Sequence, residues 1–363
     1  MKEFDQLRTK ITDFKERYGR FKKAAFFVCG FLFDALMLDR IDNLHAIIQQ
    51  TIYILIVMQI LKYKTLEQGG VWQPPERIKK WWHYNDEALN FFLGTLLNFY
   101  TLFYIVSSSI AVSFVYLLIV FGLLVLNELP HRHAYVLQLK YGLLSLAIFS
   151  FLFIIVTISF GFVGYAPFVV ALLIGVGLFQ TMTMFFSKKN LVNLDVRKNV
   201  FWPAIGVAIS LLALYALKVL PPIPLSVQSI GIYHGIERTR NPVTGEPDYN
   251  LITTRPKWKF WQHGDQSFSA KPGDKIYCFV RIFAPANFKD KIVFHWLKAT
   301  PNGWQSRDKI INEISGGRDE GFRGYAIKSN YEPGDWRVQI ETQDGHEMGR
   351  IKFNVDPISA NSN

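Results

Sequence analysis

The sequence predicts a polytopic α-helical membrane region of about seven spans, followed by an all-β, immunoglobulin-like antiparallel sandwich. Three observations carry that prediction. Residues 22–220 break into apolar stretches, such as Ile47–Leu61 and Ala111–Leu126, that are too long for ordinary core helices. The short loops between them alternate between basic and nearly uncharged. From about Ser226 the apolar periodicity switches to two and turn signals recur.

Taken in order, residues 1–23 read as an amphipathic cytoplasmic helix. Phe4, Leu7, Ile11, Phe14, Tyr18 and Phe21 recur at helical spacing, with Lys10, Lys15, Arg17, Arg20 and Lys22 on the other faces. Residues 24–220 form the membrane domain. Its first span, about Ala24–Leu38, follows a cationic lead with no Ala-x-Ala site, so it is expected to be a retained anchor. The second is about Leu44–Leu61. The stretch from Ala88 to Glu128 would run about 60 Å as one helix, twice a bilayer core, so it must fold back at Ser107-Ser108-Ser109. The stretch from Tyr141 to Phe186 needs the same treatment, and Gly161, Gly164 and Pro167 supply the break. The last span, about Val200–Leu220, ends at Pro221-Pro222, and residues 221–225 make a Pro-rich linker.

Charge fixes the expected orientation. The N-tail through Lys23 and the loops 62–87, 127–140 and 187–199 hold nineteen Lys and Arg, against Arg40 and Lys218 on the other side. By the positive-inside rule the N-terminus is cytoplasmic, and an odd number of spans puts the C-terminal domain across the membrane. The net charge of +11 divides into 21 − 13 = +8 for residues 1–220 and 19 − 16 = +3 for the remainder. Most of the surplus therefore serves orientation. The soluble part has no basic stripe, which argues against a nucleic-acid partner. The cysteines Cys29 and Cys278 lie in different domains, so no intramolecular disulfide is expected.

Residues 226–357 read as the sandwich and 358–363 as a disordered tail. The clearest hairpin alternates Trp336, Val338, Ile340 and Thr342 with polar residues, turns at Asp344-Gly345, and continues through Ile351, Phe353 and Val355. The segments Lys275–Phe283 and Lys291–Lys298 are apolar on both faces, as central strands are.

Several short motifs carry a resemblance to a known family. They are Leu220-Pro221-Pro222-Ile223-Pro224-Leu225-Ser226, Ile230-Gly231-Ile232-Tyr233-His234, Ala284-Pro285, His295-Trp296, Gly316-Gly317-Arg318 and Pro333-Gly334-Asp335-Trp336-Arg337-Val338. The ending from Asp344-Gly345 through Gly349-Arg350 to Phe353 and Val355 fits as well, as do Gly30–Asp34, Asp39–Asn43 and Asn127-Glu128 upstream. The resemblance is to a bacterial envelope family, the domain of unknown function 2914, and implies a multi-pass Gram-negative inner-membrane protein with a periplasmic β-domain. It supplies no activity and no catalytic residues.

Three groups of residues are candidates for a site. On the outer side Asp34, Asp39, Arg40, Asp42 and His45 bring ionisable groups beside a span, where they are costly. They can relay protons or hold a cation; the plainer alternative is a helix–loop–helix corner, with Asp39 and Asp42 as caps and Arg40 paired to Asp34. On the inner side Glu128, His131, Arg132 and His133 can do acid–base work or form a polar corner that touches anionic lipid. In the sandwich Tyr277, Phe279, Arg281 and Phe283 share one strand face, which suits a sugar or an added peptide strand if it is not simply core. No metal, cofactor or catalytic constellation is expected. The sequence thus predicts a non-enzymatic envelope membrane protein, embedded in the lipid bilayer, that presents a periplasmic sandwich to an envelope protein or glycan. The alternative is a membrane-embedded transporter or lipid-active protein with an accessory β-domain.

Overall fold

The computed structural model describes residues 44–128, 136–189, 191–192, 194–240, 247–256, 258–259, 261–271, 273–317 and 321–356. The amphipathic helix, the first span, Asp34, Asp39, Arg40, Asp42, His131, Arg132, His133, Arg318 and the tail lie outside these residues.

The helical region comprises α1 (Leu44–Gln68), the short α2 (Glu76–Trp82), α3 (Asn85–Val106), α4 (Ile110–Glu128), α5 (Val136–Phe160), α6 (Tyr165–Ser187) and α7 (Trp202–Ala216). A π-helical turn, Arg197–Phe201, leads into α7. Among the described residues five helices are long and apolar enough to cross a membrane: α1, α3, α5, α6 and the run Arg197–Ala216. The apolar α4 doubles back along α3 from the expected serine turn.

α5 is the centre of this region and packs against α1, α3, α6 and α7. Gly175 of α6 allows the closest approach: a Cβ there would sit 2.4 Å from Phe149 of α5. Polar side chains bond across helices, as expected where water is absent. The Tyr141 and Thr65 hydroxyls meet at 2.8 Å between α5 and α1, and those of Tyr104 and Ser150 at 2.9 Å between α3 and α5.

Four details differ from the sequence prediction. Pro167 lies inside the first turn of α6 rather than in the break, because a helix's first N–H groups have no intrahelical acceptor to lose. Lys140, counted above with the loop cations, is buried in α5 and donates to Asn90 Oδ1 at 2.5 Å. The helix α7 stops at Ala216, before the prolines. Residues 220–226 are all buried, so the Pro-rich segment is packed structure rather than a free linker.

The β region begins at Ser226 as expected. One sheet is ordered β1 (Ser226–Tyr233), β5 (Ile276–Phe283), β8 (Phe322–Lys328). A five-stranded sheet runs β4 (Ser267–Phe268), β10 (Glu347–Val355), β9 (Gly334–Thr342), β6 (Lys289–Thr300), β7 (Gly303–Ser315). A separate hairpin joins β2 (Gly235–Arg240) to β3 (Pro247–Ile252). Ile232, Cys278, Val280 and Ile282 from the first sheet share an apolar core with Phe294, Trp296, Val338, Ile340, Ile351 and Phe353 from the second. The pairing is antiparallel except that β4 runs parallel to β10. β4 has two residues and arrives through a long connection, so no tight turn fixes its direction.

The β region sits at one end of the helices, with Lys218 beside it, and the basic loops lie at the other. The turns Ser107–Ser109 and Gly161–Gly164 and the end of α7 all meet β-region residues. The opposite end brings together Lys62 and Lys64 of α1, Asp86 of α3 and Phe185 of α6.

Candidate functional site

The site is built where the two regions join. The β9–β10 hairpin turns at Asp344-Gly345 because Gly345 takes φ +85°, a conformation that costs glycine little. That turn carries Asp344, His346 and Glu347 against the helices. The Tyr215 hydroxyl at the end of α7 donates to Asp344 Oδ2 at 2.9 Å. His346, fully buried, donates from Nε2 to the Tyr215 carbonyl at 3.0 Å, and its ring lies 4.1 Å from the Tyr215 ring. Phe168 stacks on Tyr215 at 4.1 Å, so the contact is walled by aromatic rings.

A second tie uses the turn between α3 and α4. The Ser109 hydroxyl donates to Glu347 Oε1 at 2.5 Å. The same carboxylate accepts from Gln339 at 2.5 Å and from Arg350 through Nε and Nη2 at 2.5 and 2.6 Å. Buried charge is tolerable only when saturated in this way. The third tie joins the α5–α6 turn to β6: Lys289 N donates to Gly161 O at 2.8 Å, and Val163 N to Asp290 Oδ2 at 2.9 Å.

Between the third tie and the hairpin turn lies an open cleft of about 790 Å³, lined by Phe162, Lys289, Asp290, Lys291, Glu313 and Asp344 among others. Its carboxylates differ in character. Burial pushes Asp290 up, and repulsion from Asp344 adds to this against the two backbone N–H groups it accepts. Burial alone would raise Asp344 too; the His346 contact at 3.2 Å and hydrogen bonds from Thr342 and Tyr215 outweigh it and hold Asp344 at about 2.

The outer face of the five-stranded sheet holds a separate relay. His295 donates from Nδ1 to Glu341 Oε1 at 2.9 Å, and Nε2 meets the Ser306 hydroxyl at 2.8 Å. This ties β7, β6 and β9 together, and hydroxyl, imidazole and carboxylate follow the order of a hydrolase triad. Beside it the Arg337 guanidinium lies 4.6 Å from the Trp304 ring.

The structure distributes the sequence-predicted residues unevenly. His45 lies in the first turn of α1, and Glu128 is the last residue of α4. Tyr277, Phe279, Arg281 and Phe283 do share one face of β5, but much of that face is covered. Phe279 is buried and its ring is 5.4 Å from Tyr249 of the β2–β3 hairpin. Arg281 donates to Gln228 at 3.1 Å, and Phe283 packs into the helical core. Among the described residues of the β region the exposed aromatics are Trp258 and Trp261, 64% and 58% exposed, with rings 5.6 Å apart. Their loop is held by the Arg255 guanidinium, which donates to the carbonyls of Lys259 and Gln262. Asp265 anchors its far end by accepting from Thr253 and from the Thr254 backbone.

Asp290, His295, Ser306, Glu341, Asp344, His346, Glu347 and Arg350 fall within one continuous segment. Residues 289–355 match DUF2914, a family described as a protein of unknown function. The DUF2914 segment thus contributes β6, β7, β8, β9 and β10 and every β-region side chain of the three ties. No curated protein matches the chain. Among solved structures, an immunoglobulin-like protein from Pseudomonas aeruginosa is 14% identical, covering 36% of this chain and 95% of that one, with a TM-score of 0.21. A Listeria innocua β-glucosidase is 13% identical over 35% of this chain and 22% of its own, with a TM-score of 0.19. A Pseudomonas fluorescens alkylpurine DNA glycosylase, AlkC, is 9% identical over 88% and 99%, with a TM-score of 0.22. Scores this low carry no argument about function.

Proposed function

We propose that this is a multi-pass envelope membrane protein whose helices hold an immunoglobulin-like β-sandwich, in a fixed pose, as a binding module on the non-cytoplasmic face. The observation that carries the binding part is the pair Trp258 and Trp261. Two large exposed rings on a hydrogen-bonded loop lose little conformational freedom when a partner covers them, and rings of this kind suit protein anchors and sugar faces alike. The orientation is supported by the end-to-end separation of the cation-rich loops from the β region.

The test uses the full chain in lipid nanodiscs. Wild-type protein is expected to retain an envelope protein by photo-crosslinking, or a glycan on an array, and Trp258→Ala with Trp261→Ala to lose at least tenfold in apparent affinity. Equal binding by the variant sinks the assignment to these tryptophans. Topology is read with a membrane-impermeant maleimide on intact cells, using Asn302→Cys in a Cys29→Ser background. Cys278 is buried and its thiol is pushed up by burial, so it stays silent. Labelling from the outside is expected. The Ser306–His295–Glu341 relay is assigned a structural part; Ser306-dependent labelling by a fluorophosphonate would instead establish a hydrolase.

A further inference from the structure

The junction cleft has a composition that none of the three ties explains. It opens beside the turn joining α5 to α6, where two apolar helices end, and Phe162 on that turn is 37% exposed. Its volume of about 790 Å³ falls in the range of small-molecule sites. The polar lining is of both signs. Lys289 and Lys291 emerge two residues apart, on one side of β6, and both are exposed. The Lys289 ammonium has no hydrogen-bond or ion-pair partner among the described residues. Lys291 lies 3.7 Å from Glu313 in a pair whose side chains are 49% and 81% exposed, so it is loosely held. The carboxylates of Asp290 and Asp344 line the same cleft, close enough to repel one another.

We infer that this cleft takes the headgroup of a zwitterionic phospholipid bearing a primary ammonium, drawn from the leaflet adjoining the β region. The phosphate lies at Lys289 and Lys291, the ammonium at Asp290 and Glu313, and the glycerol end leaves past Phe162 toward the helices. An anionic headgroup would bring its negative charge against three carboxylates, Asp290, Glu313 and Asp344, and carries no cation of its own to meet them. A quaternary ammonium has no N–H to donate to them. A primary ammonium next to a phosphate matches both signs and relieves the repulsion between Asp290 and Asp344. The inference rests on the membrane placement proposed above, and not on the tryptophan loop.

Native mass spectrometry of the full chain in detergent, titrated with phosphatidylethanolamine, phosphatidylcholine and phosphatidylglycerol, tests this. Phosphatidylethanolamine is expected to be retained several-fold more than the other two. The preference should vanish in Lys289→Glu with Lys291→Glu, survive in Lys289→Arg, and be unaffected by Trp258→Ala with Trp261→Ala. Lys289→Gln serves if the double variant does not fold, and should lower retention several-fold. Equal retention of the three lipids, or an unchanged preference in the lysine variants, overturns the inference. Loss of partner binding in the tryptophan variants with no lipid preference in wild type would sink this inference alone.

Discussion

The two ends of the helical region treat charge in opposite ways. At the basic end, cations stand in water: Lys79 pairs with Glu76 at 3.0 Å, and the two side chains are 63% and 87% exposed. In the ties at the β-region end, charge is buried and saturated: the Glu347 side chain is 6% exposed and accepts from three neighbours. The first arrangement orients a chain in a membrane and contributes little to its fold. The second locks two regions together and leaves no spare capacity for loss.

The comparison is broken most directly at Glu347. Glu347→Ala leaves Arg350, Gln339 and Ser109 without their acceptor, and is expected to cost about 2–3 kcal/mol in thermal or denaturant unfolding of the detergent-solubilised protein. Hydrogen exchange should rise first in the β9–β10 turn and at Ser107–Ser109. An unchanged stability would mean that the ties are incidental.

Acid gives the next largest effect. Asp344 titrates at about 2, below its ordinary 3.8, so its contribution is complete above pH 4 and is lost as pH falls through 2. Asp290 works with the opposite sign, since a raised carboxyl favours the folded state only while protonated. Exchange at the hairpin turn is therefore expected to increase below pH 4 in the wild type. Asp344→Asn should remove the part of that increase owed to this carboxyl, and identical pH profiles in the two proteins would contradict the assignment. The smallest effect belongs to the basic end: Lys79→Ala is expected to change stability by at most about 0.5 kcal/mol.

How much of this could be read from the chain follows from what carries information locally. The Ser107–Ser109 reversal, the strand faces of Trp336, Val338 and Ile340, and the Asp344-Gly345 turn are written in spacing and turn chemistry, and the structure has them in place. The junction is written nowhere locally. Tyr215 and Asp344 are 129 residues apart, and Ser109 and Glu347 238 apart. Asp344 therefore reads as a turn residue and nothing more. The face of Tyr277 and Phe279 shows the converse. Alternation identifies a shared face correctly, but cannot show that Tyr249, on a separate hairpin, will cover it. Lys140 shows a third limit: a lone cation near a span's start counts as a loop residue until Asn90 of another helix is brought beside it.

The buried run from Leu220 to Leu225 has one more consequence. Leu220 and Ile223 pack into the helical core, and Leu225 into the β core. A protease has no accessible bond there to cut, and a push or pull on the β region travels into the bundle without a slack tether to absorb it. The molecule behaves mechanically as a handle welded to its socket: whatever grips the β region also grips the helices.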